Sequence, residues 1–388
     1  SSSYDLRGTA CGRYMTRQTR IPCVIQRGGT SKGPYFLASD LPANPALRDR
    51  VLISVMGSPD ARQIDGLGGA DPLTSKVAIV SKSSIDGVDL DYLFCQVKVD
   101  EPLVDITPNC GNKLAGVAPF ALEHALVSAE DGCTTVRIHM VNSGNFCDVH
   151  IQTPRGIVSY DGDARIDGTP GTSAPVMIDF LNTAGSACGT LLPTGNVIDD
   201  VDSVKITCID NGMPVVLLRA EDVGATGTET RDELNAADKI KARIESIRLQ
   251  IGDAMNLGDV AQKVVPKMCL ISPPALGGTI NTRCFIPHMC HASIGVLAAV
   301  TVGTACVMPG SVAYDIADVP DGNPKLISVE HPSGEFSVEL ETGEPVDGIP
   351  QISRAALLRT TRRIMEGGVL VPANIWDGHA GLITQAAE

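Results

Sequence analysis

A chain of 388 residues, 43% hydrophobic and 20% charged, has the make-up of a soluble globular protein of two domains. Its net charge of −14 argues against nucleic acid as a partner, and no apolar run reaches the ~18–20 residues of a membrane helix, which argues against a membrane. The twelve cysteines are dilute and show no CxxC spacing, so they read as reduced thiols of a cytoplasmic protein, mostly small core residues.

Residues 1–20 lack a secretory apolar core and read as a leader outside the fold. A strand is expected at 21–26 and another at 35–38, with Arg27-Gly28-Gly29-Thr30-Ser31-Lys32-Gly33 between them. Residues 45–56 have helical spacing with Asn44 as N-cap. A loop at 66–69 leads to strands at 76–81 and 92–99. An apolar helix is expected after Cys110, to about residue 127, with a kink or break at Pro119. Strands at 134–141 and 146–153 form a hairpin around Ser143-Gly144-Asn145.

The stretch 162–175 reads as loop, followed by strands at 176–180, 204–209 and 214–219. One long polar helix is expected over 231–255, with an acidic start at 229–233. Strands at 268–272 and 279–286 precede a helix over 292–305 that is apolar on every side and therefore fully buried. Strands at 326–331 and 335–340 follow, and 354–365 suits either helix or strand. Many short strands around one buried helix, twice over, predict an α+β fold of two similar lobes. The division expected is 21–195 and 196–388, with the last strands free to return to the first lobe.

Two segments 180 positions apart carry the chemistry. Thr107-Pro108-Asn109-Cys110-Gly111-Asn112-Lys113 and His288-Met289-Cys290-His291-Ala292-Ser293 each set a cysteine before an apolar run of small residues. A helix N-terminus offers unpaired N–H groups and partial positive charge, which suits a carboxylate or a reactive thiolate.

Arg27 to Gly33, Gly66-Leu-Gly-Gly69, Leu73-Thr-Ser-Lys76, Asn109-Cys-Gly-Asn112 and Leu192-Pro-Thr-Gly-Asn196 resemble the PrpF-like isomerases. The resemblance covers nearly all of 21–372. It implies the diaminopimelate-epimerase-like fold, in which each lobe wraps a central helix in an antiparallel β-barrel and the active site lies between the lobes. It also implies a cofactor-free, metal-free 1,3-proton shift on an unsaturated polycarboxylate, catalysed by a lysine and a cysteine that match Lys76 and Cys110, in a homodimer. Within the family the wording is most similar to the 4-oxalomesaconate enzymes of protocatechuate (lignin-derived aromatic) breakdown. Alternatives are an aconitate or methylaconitate isomerase, a two-cysteine epimerase and a non-catalytic carboxylate-binding protein.

A proton shift between two carbons needs a base, an acid and enolate stabilisation. Cys110 serves as base in the forward step, and Lys76, next to Ser75, hands the proton back. Gly28, Gly29, Thr30 and Ser31, flanked by Arg27 and Lys32, either let backbone and hydroxyl donors approach a carboxylate or form a structural turn. The Arg27–Gly33 run does not match a nucleotide phosphate loop. Asn109, Gly111 and Asn112 surround the first helix mouth. At the second, His291 or Ser293 stands as a carboxylate donor, against the rival reading of Cys290 as a second base. Arg283 faces either the cleft or solvent, and Thr194, Gly195 and Asn196 form either a substrate contact or a turn. Cys284, His288, Cys290 and His291 match no zinc spacing.

Overall fold

A computed structural model describes residues 18–379. The leader up to residue 17, with Cys11, lies outside the described residues. The first half of the chain runs β1 (Gln18–Gly28), β2 (Ser31–Leu37), α1 (Pro45–Met56), β3 (Lys76–Lys82), β4 (Leu90–Val97), β5 (Val104–Asp105), α2 (Gly111–Leu114), α3 (Val117–Glu123), β6 (Gly132–Met140), β7 (Asn145–Thr153) and β8 (Val176–Leu181). The second runs β9 (Asp199–Val201), β10 (Val204–Asp210), β11 (Pro214–Arg219), α4 (Arg231–Ala236), α5 (Asp238–Ile251), β12 (Lys267–Ser272), β13 (Ile280–Phe285), α6 (Val296–Cys306), β14 (Lys325–His331), β15 (Gly334–Val346), β16 (Ile349–Arg359) and β17 (Thr361–Pro372).

The strand pairings repeat. From β1 through β2, β3, β4, β6 and β7 to β8, neighbours pair antiparallel, parallel, antiparallel, parallel, antiparallel and antiparallel. The order β10, β11, β12, β13, β14, β15, β16 gives the same series. The chain thus folds the same motif twice, and the antiparallel barrels read from the sequence carry two parallel pairings each. The lobes are joined where β8 pairs with β16. Beyond β16 the chain crosses back, and β17 pairs along the whole of β1. The 354–365 stretch is strand on both sides of this crossing.

In each lobe the strands are covered on both faces. Inside the second lobe, α6 is buried from Leu297 to Cys306 and packs on β10, β11, β14 and β15. Inside the first, α3 buries Val117 to Ala121. Outside, α1 packs Val51, Leu52, Val55 and Met56 into a separate core with Ile21, Phe36 and Val77. On the second lobe α5 does the same with Ile244, Ile247 and Ile251 against Val216, Leu218 and Met268. Each fully buried aliphatic side chain of this kind contributes about 1.5–3 kcal/mol.

Two helices depart from the sequence reading. The first breaks at Ala115–Gly116, between α2 and α3, and ends at Glu123. The Tyr35 hydroxyl donates to Lys113 O at 2.6 Å and occupies a carbonyl that a continuous helix would use. Pro119 is only the third residue of α3, where its missing N–H is no loss. The long polar helix likewise divides at Ala237, where Lys241 Nζ takes the Asn235 carbonyl at 3.3 Å. Asn44 caps α1 as expected, its Oδ1 accepting from Leu47 N at 3.0 Å.

Candidate active site

Cys110 is the N-cap of α2, and donors converge on its sulfur. Lys113 N–H donates to Sγ at 3.4 Å, Lys76 Nζ at 3.7 Å, and Ser31 Oγ lies at 3.9 Å. These are the contacts a sulfur uses when it carries negative charge. Lys76 reaches it from the first position of β3, its ammonium 5.6 Å from the Phe94 ring centroid. Tyr92 fixes the peptide of Cys110 by donating to its carbonyl at 3.1 Å. Cys110 itself is 8% exposed.

The turn after β1 is locked onto this cap. Gly29 has φ +52, and a β-carbon there would lie 2.1 Å from Asn112 Oδ1; one on Gly28 would lie 2.5 Å from Asn112 O. Only glycine permits that approach. Thr30 N–H then donates to Asn112 Oδ1 at 3.3 Å. Gly29 N–H and Arg27 Nη1 both donate to Thr360 O, at 2.8 and 3.3 Å, so the crossing between β16 and β17 holds the turn in place. Arg27 further donates to Gly29 O and Thr360 Oγ1, which turns its guanidinium onto the loop itself. Lys32 is exposed. Ser75 is fully buried, bonded to Val97 O and Gln63, and acts as a structural clasp behind Lys76. Asn109 keeps a buried Oδ1 with no hydrogen-bond partner among the described residues, one residue from the thiol.

Lys113 was not singled out from the sequence. Its side chain is fully buried, donates to Gly33 O at 3.1 Å and lies 3.7 Å over the Tyr35 ring. Burial pushes its pKa well below that of an ordinary lysine; the Cys110 charge opposes this and the Lys76 charge adds to it. A lysine in an apolar run was the available signal.

The second lobe contributes a pair of histidines. Ser293 N–H donates to His291 Nδ1 at 2.8 Å, so the neutral ring carries its proton on Nε2. That Nε2 has no hydrogen-bond partner among the described residues. Ser333 N–H donates to His331 Nδ1 at 3.2 Å, which leaves His331 Nε2–H to donate to Ser293 Oγ at 3.3 Å. The Ser293 hydroxyl proton is then free for a ligand. Burial, with the Lys76 charge second, pushes His291 down to about 4; burial, with His291 second, does the same to His331. His291 and Lys76 thus feel each other across the lobes, and both imidazoles are neutral donors at neutral pH.

Cys290 stands elsewhere. The helix begins at Val296, so Cys290 precedes its mouth by a loop, whereas Cys110 directly precedes Gly111. It is 1% exposed in the outer core beneath α5, its N–H bonded to Asn235 Oδ1, and burial raises its thiol to about 11. It packs in a different core from Cys110, which lies with Leu114 and Val117. The mouth of α6 is formed by Gly295, with no side-chain cap. Arg283 is buried and bonded to Glu229 O, Asn281 and Thr282 O. Thr194 and Asn196 both bond Asp199 around Gly195, at φ +81. These residues close their own loops and are not brought to the thiol. Among the described residues no cluster of metal-ligating side chains is present, and no helix is long and apolar enough to cross a membrane.

A doubled lobe with a lysine–cysteine pair at the mouth of one central helix defines an enzyme of the diaminopimelate-epimerase-like fold. A hydroxyproline epimerase from Agrobacterium vitis shares that fold at a TM-score of 0.50 and 12% identity, over 95% of this chain and 97% of that one. The chain belongs to the PrpF family, whose model, described as PrpF protein, matches residues 18–372, and it is an isomerase. It is 57% identical over 361 residues to a 4-oxalomesaconate tautomerase of Pseudomonas putida, covering 93% of this chain and 99% of the relative. It is 57% identical to a (4E)-oxalomesaconate Delta-isomerase of Novosphingobium sp., covering 90% and 97%. The crystal structure of a methylitaconate-delta-isomerase superposes with a TM-score of 0.80 at 36% identity, over 93% and 97% of the two chains.

Proposed function

We propose that this isomerase moves a proton across the allylic system of 4-oxalomesaconate, giving 2-keto-4-carboxy-3-hexenedioate in the breakdown of protocatechuate from lignin-derived aromatics. The observation that carries the reading is the 3.7 Å contact between Lys76 Nζ and Cys110 Sγ, in a chain 57% identical to two relatives named for this acid. Cys110 removes a proton from carbon, the charge spreads into a dienolate, and Lys76 protonates the carbon two bonds away. Asn112, the hydroxyls of Thr30 and Ser293, and the Nε2–H of His291 supply donors for carboxylate and enolate oxygens. The uncapped first turn of α6 adds N–H groups of the same kind.

The same reading takes the reaction as independent of a cofactor. It sets the enzyme in the reducing cytoplasm, supported by eleven unpaired cysteines among the described residues. It also takes the homodimer that the family resemblance implies.

Proton NMR of 4-oxalomesaconate with the protein in D₂O tests it. Isomerisation with deuterium entering both ends of the allyl unit is expected. Absence of both turnover and exchange would overturn the substrate and move the same measurement to aconitate and methylaconitate.

A further inference from the structure

Arg359, the last residue of β16, is 4% exposed. None of its nitrogens donates a hydrogen bond to a described residue, and its Nε is sealed from solvent with no partner. Of the three nitrogens only Nε is fully sealed, so the residual opening lies at the outer edge of the guanidinium fork. One face of the group is covered by Phe336, whose ring centroid lies 4.5 Å from Cζ. Asp167 and Glu335 lie in its field, yet neither forms an ion pair with it. Burial lowers its pKa to about 10, so it stays a cation at neutral pH. A buried guanidinium with idle donors is costly, and proteins seldom bury arginine without an anion to pair it.

Its position relates it to both halves of the site. The next residue, Thr360, holds Gly29 and Arg27 and so the turn that packs on Asn112. On the other side, Phe336 lies 5.5 Å from the His331 ring, and His331 reaches Ser293. Arg359 therefore stands where the supports of the two helix mouths meet.

We propose that Arg359 binds one carboxylate of the substrate through the outer edge of its guanidinium. A planar, singly charged carboxylate fits a fork stacked on an aromatic ring. A phosphate dianion would meet more repulsion from Asp167 and Glu335. The proposal rests on the reading of the substrate as a polycarboxylate and supplies an anchor that the Cys110 side lacks, since Arg27 is spent on its own loop.

The test uses tricarballylate, a saturated tricarboxylate that cannot isomerise, titrated calorimetrically into the wild-type protein, Arg359→Lys and Arg359→Gln. Wild type binds, and both variants lose at least about tenfold in affinity. KM for the substrate rises more than kcat falls, and methylguanidinium restores part of the activity of Arg359→Gln. If Arg359→Gln does not fold, Arg359→Lys, which keeps the charge but not the fork, decides alone. No binding by wild type, or unchanged affinity in folded Arg359→Lys and Arg359→Gln, overturns the proposal. If the wild type binds tricarballylate through Arg359 but leaves 4-oxalomesaconate unchanged, the substrate reading falls and this one stands.

Discussion

Gly111 lies against Val296: a β-carbon on the glycine would come within 2.8 Å of Val296 Cγ2. Gly111 opens α2 and Val296 opens α6, so this contact fixes how closely the two helix mouths face each other. The Gly111→Ala variant is expected to wedge them apart and lower kcat/KM by at least about tenfold, a misplacement effect. Adding Val296→Ala makes room for the new methyl group. Steady-state rates of the single and double variants check this; no recovery in the double variant would refute the wedge.

Lys76→Met and Cys110→Ser are each expected to cut turnover by at least about a thousandfold, the scale of a lost acid or base. Neither removes a large buried surface, so near-identical melting temperatures are expected. Full activity in either variant would end the lysine–cysteine mechanism.

Cys290→Ala separates this chemistry from a two-cysteine epimerase. With Cys290 packed under α5, activity is expected to stay within about twofold while stability falls by about 1–2 kcal/mol. Loss of turnover in a protein that still melts cooperatively would make Cys290 the second base.

The histidine pair gives a pH signature in stability. Both rings titrate near 4 in the folded protein against 6.5 when unfolded. Between these values the unfolded chain binds protons that the native state refuses, so stability rises with pH from about 4 to 6.5 and this contribution is flat above. Melting temperature measured across that window should fall towards acid, and a His291→Asn, His331→Asn double variant should flatten the slope. An unchanged slope would mean the rings are not held neutral.

Local signals were legible where local forces decide. Asn44 and the helix it caps, the strand Lys76–Lys82, and the all-apolar core helix follow from capping, alternation and hydropathy. The Lys76–Cys110 pair and the glycine turn came from motif wording, and the structure brings them together. What escaped the sequence depends on distant partners. Cys290 stands only as a rival base behind His291 and Ser293, and what the sequence does not show is that the second helix starts five residues later relative to its cysteine than the first. The break at Gly116 needed Tyr35. Arg359 lay in a stretch with no clear period, and only the folded barrel shows it buried without a partner.

The pairing of β17 with β1 has a consequence for biosynthesis. Thr361 Oγ1 donates to the carbonyl of Arg27, 334 residues earlier, and accepts from Gln26 Nε2, so the turn that packs beside Cys110 is braced by the first residue of β17. A ribosome emits the first lobe well before the strand that closes it. Until β17 arrives, β1 has one open edge, exposed to other nascent chains, and closing so long a loop is slow. β16, which gives β8 its partner, ends one residue before β17 begins, so the first lobe waits on the same late stretch for both of its edges. The half that holds Lys76 and Cys110 thus waits for the last strands, and a chain cut short before Thr361 is expected to be inactive and prone to stick to its neighbours.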